Sequence, residues 1–192
     1  MRTMKELLSL SVVVKGPVAG DYSGQKFDDL QNFFNQSFLP TGVWVRQGDV
    51  IDSIELTYDK KDYTRGKSDF FHGGPNGHDA YFELPPGDFI RKIEVEYGNY
   101  PFSLNPSQRI KNQIIRIRFT TSSGLTSAWY GNVCGKGNRL KGKPFTIDAG
   151  ENNVICCLYG STGLGNMELH NYLQSIGTYC ISFLDAKRIL GI

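Results

Sequence analysis

Alanine is almost missing from this chain: five residues in 192, at positions 19, 80, 128, 149 and 186. Without the strongest helix former a helical bundle is excluded, and a doubly wound α/β fold is not expected. Histidine is scarce too, limited to His72, His78 and His170, and neither H-E-x-x-H nor G-x-S-x-G occurs. Neither sign of charge dominates. The net charge is +2 from 21 basic and 19 acidic residues, so no nucleic-acid partner is expected. No run approaches the ~20 apolar residues of a membrane span. The cysteines Cys134, Cys156, Cys157 and Cys180 form no C-x-x-C, so zinc spacing is lacking and reduced thiols are expected. At the N-terminus Glu6 and two serines interrupt Leu7, Leu8 and Leu10, and no small-residue cleavage site follows. That reads against a cleaved signal peptide, so a cytoplasmic location is expected, with unconventional secretion as the other route.

What the chain has instead is 22 glycines, 12 Phe, 10 Tyr and 2 Trp, a composition of turns and pleat-friendly rings. Short alternating runs recur at Val12–Val14, Val43–Arg46, Ile51–Tyr58, Ala80–Leu84, Ile90–Tyr97, Ile114–Thr121, Ser127–Tyr130, Phe145–Asp148, Val154–Tyr159 and Leu173–Ile181. Strands at this spacing predict a closed or stacked all-β architecture. With no linker-like stretch, one domain over 1–192 is expected, its core at about 12–181 and a C-terminal extension at 182–192. Ile51–Tyr58 and Ile90–Tyr97 share Ile, Ile, Glu and Tyr in register, while Ile114-Ile-Arg-Ile117 and Leu173-Gln-Ser-Ile176 are weaker echoes. Repeats this short must pack around a common core. Helix is predicted only within Asp28–Phe38 and Phe183–Leu190.

No chemistry-bearing constellation emerges. His72-Gly-Gly-Pro-Asn-Gly-His78 sets two imidazoles in a loop without metal-ligand spacing, so loop histidines are expected rather than a hydrolase centre. Gly137-Asn-Arg-Leu-Lys-Gly142-Lys143 has the skeleton of a phosphate loop, but Pro144 replaces the Ser/Thr and a strand follows where a helix is required. Neither enzyme activity nor a metal or cofactor is expected.

Several segments in order resemble the jacalin-related lectin domain. Gly16-Pro-Val-Ala-Gly20-Asp-Tyr-Ser-Gly24-Gln-Lys-Phe27-Asp28-Asp29 is similar to that family's opening strand, glycine loop and F-D-D. Gly48-Asp-Val-Ile51-Asp-Ser-Ile54-Glu-Leu-Thr-Tyr58 is similar to its second repeat strand. His72-Gly-Gly-Pro-Asn-Gly-His78, with Phe82-Glu-Leu84-Pro-Pro-Gly87-Asp-Phe-Ile90, is similar to its G-G-x-G loop and F-x-L-x-P-G-E-x-I. Ile114-Ile-Arg-Ile-Arg-Phe119-Thr-Thr121 resembles L-x-F-x-T. Leu158-Tyr-Gly160-Ser-Thr-Gly163 and Tyr172-Leu-Gln-Ser-Ile176-Gly177 resemble the closing G-x-x-x-D loop and its strand. The resemblance implies a β-prism of three four-stranded antiparallel sheets with approximate threefold symmetry, and a lectin binding mannose- or galactose-type glycans or glycoproteins at one end.

Carried over residue by residue, Gly20 takes the loop amide position, Gly163 the first glycine and Tyr172 the ring or backbone position, with Tyr22 beside them. Where the family has aspartate this chain has Gln174, and Leu164–His170 is inserted in the loop. The lost carboxylate forfeits charge-assisted bonds of about 1.5–3 kcal/mol each. Two readings follow: Glu168 on the insertion restores a carboxylate, or the sugar site is degraded. In the second, the β-prism serves as a protein-interaction or structural subunit, with Asn32–Thr41 and Leu164–His170 as contact or self-association surfaces.

Overall fold

A computed structural model of the protein describes residues 4, 12–36, 38–58, 68–100, 110–132, 140–164 and 171–192. Twelve strands appear among them: β1 (Val14–Gly20), β2 (Gln25–Asp28), β3 (Gly42–Gln47), β4 (Ile51–Thr57), β5 (Phe71–Gly73), β6 (His78–Glu83), β7 (Ile90–Tyr100), β8 (Ile110–Thr121), β9 (Tyr130–Gly131), β10 (Lys143–Asp148), β11 (Asn153–Leu164) and β12 (Asn171–Ser182). They make three four-stranded sheets, in the orders β1-β12-β11-β2, β10-β7-β8-β9 and β5-β4-β3-β6, and every pairing is antiparallel. Each sheet is one long hairpin flanked by two outer strands. In the first sheet the outer strands come from the N-terminus and the hairpin from the C-terminus, which ties the two ends of the described chain together.

The inner faces of the sheets supply one large core, with Ile54, Val95, Ile117, Phe119, Leu158 and Ile176 among its buried members. Its source is a pattern that strict strand alternation forbids. Ile51 and Ile54, Ile114 and Ile117, and Leu173 and Ile176 are each three residues apart, yet all six are fully buried. On a regular strand such residues face opposite sides. A β-bulge resolves this in every hairpin. Arg46 pairs with Ser53 and Gln47 with Ile51, so Asp52 is the extra residue. By the same step Ile115 bulges from β8 and Gln174 from β12, and each bulge brings the flanking pair to the core side.

The weaker echoes in the sequence are thus the structural repeat. Ile90–Tyr97 lies on β7, whose counterpart is β3 rather than β4, so its match to Ile51–Tyr58 reflects alternation alone. Two further expectations shift. Val12 and Val13 precede β1, which begins at Val14, and Ser127–Tyr130 contributes only its last residue to β9. Strands β2 and β5 fall where no run was apparent.

Helix α1 (Leu30–Phe34) is shorter than the predicted span. Its Phe33 is fully buried, 6.1 Å from the Tyr58 ring, and Leu39 is buried as well. The Phe-rich insertion therefore contributes to the core. Helix α2 (Phe183–Leu190) matches its prediction: the Ser182 hydroxyl accepts from the Asp185 amide at 3.0 Å, and Gly191 closes the helix at φ 72°. No helix among the described residues is long and apolar enough to cross a membrane. Cys156, Cys157 and Cys180 are buried free thiols; Cys134 lies outside the described residues.

Candidate functional site

The three bulges build three equivalent cradles. Next to each bulge a glycine closes the first outer strand: Gly20 opposite Ser175, Gly73 opposite Ser53 and Gly131 opposite Arg116. All three have positive φ (91°, 121° and 87°), and a Cβ on any of them would collide with the carbonyl oxygen of the bulged residue. Only glycine serves there. The following amide binds that same carbonyl in two of the cradles, from Asp21 to Gln174 at 3.1 Å and from Gly74 to Asp52 at 3.0 Å. A second glycine faces each bulged side chain from the neighbouring strand or its end: Gly163 faces Gln174, Gly48 faces Asp52 and Gly98 faces Ile115. One backbone frame thus holds three different side chains: an amide, a carboxylate and an alkyl group.

The Gln174 cradle brings together Gly20, Gly24, Gly163 and Gln174. The glutamine side chain fills it, its amide lying where a Cβ on Gly163 or Gly24 would have to go, and its Oε1 is buried without a partner. Gly163 pairs with Tyr172 and Leu164 with Asn171, so the insertion continues the hairpin ladder at least to these residues. Tyr22 stands edge-on to Tyr159, 5.9 Å between centroids, under the Lys26 ammonium at 4.8 Å. Ser161 fixes the loop by donating to the Asp21 carbonyl at 2.7 Å. Tyr172 packs instead against Val50, Ile115 and Leu140, a small apolar cluster to which all three repeats contribute. Glu168 and the rest of 165–170 lie outside the described residues.

The Asp52 cradle is the one sequence reasoning missed, although Gly48-Asp-Val-Ile51-Asp52 and Gly73-Gly-Pro-Asn-Gly77 were both legible. The signal was the shared frame Ile51-Asp-Ser-Ile54 and Leu173-Gln-Ser-Ile176, which sets Asp52 where Gln174 stands. Its carboxylate lies between Gly48 and Gly77, so close to Gly77 that a Cβ there would strike Oδ2. Asp52 is 4% exposed, and among the described residues no hydrogen bond ends on its carboxylate. Burial raises its pKa to about 6; the Arg46 guanidinium opposes that rise and Asp49 adds to it. Arg46 also pins the loop, donating to the Asn76 carbonyl at 3.0 Å and the Gly77 carbonyl at 3.3 Å. The hairpin of the Gln174 repeat leans over this cradle, its Asn171 backbone lying against Gly74. Burial, together with the charges of Asp52 and Asp49, raises the Tyr172 pKa.

The third cradle has no polar function at its bulge. Ile115 is fully buried in the apolar cluster.

The two loop histidines do not converge. His72 lies on β5 with Nε2 2.7 Å from Asp29 Oδ1, its ring stacked on Phe27 at 3.7 Å, whereas His78 is exposed at the start of β6. Asp29 is buried and its pKa is raised by that burial, against the pull of His72. Among the described residues no group of three His, Cys, Asp or Glu is placed to hold a metal.

Comparison with known proteins fits this geometry. The fold is shared with a mannose-binding jacalin-related lectin from Ananas comosus (20% identity, TM-score 0.60, 88% of this chain and 98% of that one). It is shared with wild-type Malaysian banana lectin (22%, 0.61, 90% and 99%) and with frutapin, a lectin from Artocarpus incisa (18%, 0.62, 89% and 97%). No curated protein matches the sequence. The family model of the jacalin-like lectin domain matches residues 16–179. With that match over a prism of three bulged hairpins, the chain belongs to the jacalin-like lectin domain family.

Proposed function

We propose that this protein binds hexose-type glycans without transforming them, and that Asp52 is the principal sugar-binding side chain. The observation that carries this reading is that Asp52 is the one carboxylate among the three equivalent bulge positions. Hexose hydroxyls come in adjacent pairs, and an ionised carboxylate with two free oxygens accepts from both at once. Gly48 and Gly77 place no side chain beside the carboxylate, and Arg46 holds the loop in shape before a ligand arrives, which lowers the ordering cost of binding.

The mannose-binding jacalin-related lectin from Ananas comosus supports a neutral hexose as the ligand class. Gly20, Gly163 and Gln174 are read as the corresponding site in a filled state, with Tyr22 beside it. Tyr172 becomes a wall of the Asp52 cradle, and Glu168 remains a candidate contact from the insertion. A second reading, a prism that has lost sugar binding and acts as an interaction subunit, draws its support from the Gln174 side chain occupying its own cradle.

A glycan array decides between them. On the first reading the parent protein binds hexose-terminated glycans, and Asp52→Asn abolishes the signal. A parent that binds nothing while Gln174→Asp does bind overturns it in favour of the second.

A further inference from the structure

The edge strands β2 and β5 face each other across a corner of the prism, and a cleft of about 190 Å³ opens between them. Gln25, Lys26 and Thr162 line it on one side and His72, Gly73 and Asn171 on the other. The cleft touches both polar cradles. Gly73 belongs to the Asp52 frame, Asn171 lies against Gly74, and the Thr162 carbonyl, with the Gln174 side chain, is what a Cβ on Gly24 would meet in the Gln174 frame.

Its wall is rigid. The His72 side chain is only 10% exposed and is held by the Phe27 stack and by Asp29, which is 1% exposed. The Asp29 amide is in turn bound to the Leu158 carbonyl at 3.0 Å. A hydrogen bond at Nε2 leaves Nδ1 as the ring's other polar atom. The lining offers two carboxamides, an ammonium, a hydroxyl and an imidazole, and no carboxylate. This is a set suited to accepting and donating with sugar hydroxyls and ring oxygens. The volume equals about six waters at ~30 Å³ each, room for one compact polar unit rather than a chain.

We infer that this cleft is a second sugar subsite adjoining the Asp52 cradle through Gly73, so that the preferred ligand is an oligosaccharide with one unit on Asp52 and the next along His72. The inference rests on the carbohydrate-binding reading above and adds the size of the ligand and its direction across the prism. Linking two subsites makes the second contact intramolecular, so affinity for an oligosaccharide exceeds that for its terminal unit alone.

The test is titration calorimetry, with amide chemical-shift mapping, of methyl mannoside, methyl galactoside and a trisaccharide built from each. The expected result is at least a tenfold tighter trisaccharide for the sugar that binds. Shifts at 25–27 and 71–73 should appear with the trisaccharide only. In Gln25→Ala/Lys26→Ala the ratio of the two affinities falls towards one. Equal affinity for the two ligands in the parent, or a ratio the double variant does not change, overturns the subsite. If binding in that case is still abolished by Asp52→Asn, the function stands without it. Binding of none of the four ligands overturns both.

Discussion

Replacing Asp52 by Asn separates what the residue does for the ligand from what it does to the fold. The two effects run in opposite directions. An aspartate whose pKa rises from 3.8 to about 6 on folding is ionised at a cost of about 3 kcal/mol, since each pKa unit is worth 1.36 kcal/mol. The sign follows from linkage. Above pH 6 both folded and unfolded chains carry the charge and the full penalty applies; between pH 6 and 3.8 the folded chain binds the proton first and the penalty is relieved. At pH 8 the isosteric, uncharged Asp52→Asn should therefore be more stable than the parent, by up to about 3 kcal/mol, and the gain should vanish towards pH 4. Binding moves the other way. Loss of a charge-assisted hydrogen bond of about 1.5–3 kcal/mol weakens a glycan about 10- to 150-fold. A millimolar monosaccharide site holds only about 4 kcal/mol, so its signal disappears. Urea unfolding at pH 8 and pH 4 gives the first quantity and calorimetric titration the second. A variant that unfolds more easily at pH 8, or that binds as tightly as the parent, refutes the argument, because Asp52 would then be a structural partner of Arg46.

Glycan affinity of the parent should be flat from pH 8 to about 6 and fall about tenfold per pH unit below, as Asp52 in the free protein takes up a proton; titrations at pH 7, 6 and 5 check this. Gln174→Asp shortens the side chain that fills the neighbouring cradle and restores a charge, so a second equivalent of ligand should bind. Calorimetric stoichiometry rising from one to two is the readout. Asp88 behaves oppositely to Asp52. Burial raises its pKa, but the Ser122, Ser123 and Thr121 hydroxyls and the Ser123 amide outweigh that and hold it at about 2. Asp88→Asn should cost about 2 kcal/mol at neutral pH. That contribution is fully present above pH 3.8 and is lost as pH falls towards 2, which parallel urea curves of parent and variant would show.

The chain's own residues revealed the prism more readily than the site. Apolar alternation located most strands, because sheets with one face on a core need it, and the Phe183–Leu190 stretch was legible as α2. Strands β2 and β5 were hidden: they are four and three residues long, too short to show a period. The true repeat was hidden by its bulge. A three-residue spacing such as Ile51 to Ile54 looks unlike a strand, whereas the alternation shared by Ile51–Tyr58 and Ile90–Tyr97 looks like a duplication and is not one. The resemblance of the closing loop to a known sugar site drew attention to Gln174, where the family's aspartate is absent. Asp52 stood in a quoted motif, but its equivalence to Gln174 emerges only when Ile51-Asp-Ser-Ile54 is aligned with Leu173-Gln-Ser-Ile176, the pairing that the bulges make plain. Tyr172 could not be placed from sequence, since its neighbours Val50, Ile115 and Leu140 come from two other repeats.

The bulged residue of each hairpin is the one member of its strand that the pairing register leaves over. Its backbone carbonyl is held in place by the frame, while its side chain is an amide, an acid or an alkyl group within a single molecule. Valency is thereby uncoupled from architecture. On the proposed reading the number of working sites depends on three side chains, and a chain with one acid at these positions would stand one substitution, Gln174→Asp, from two sites about one prism end. Two sites on one rigid body convert weak single contacts into avidity on a branched or clustered glycan, by 10²–10⁴ where the geometry lets both engage.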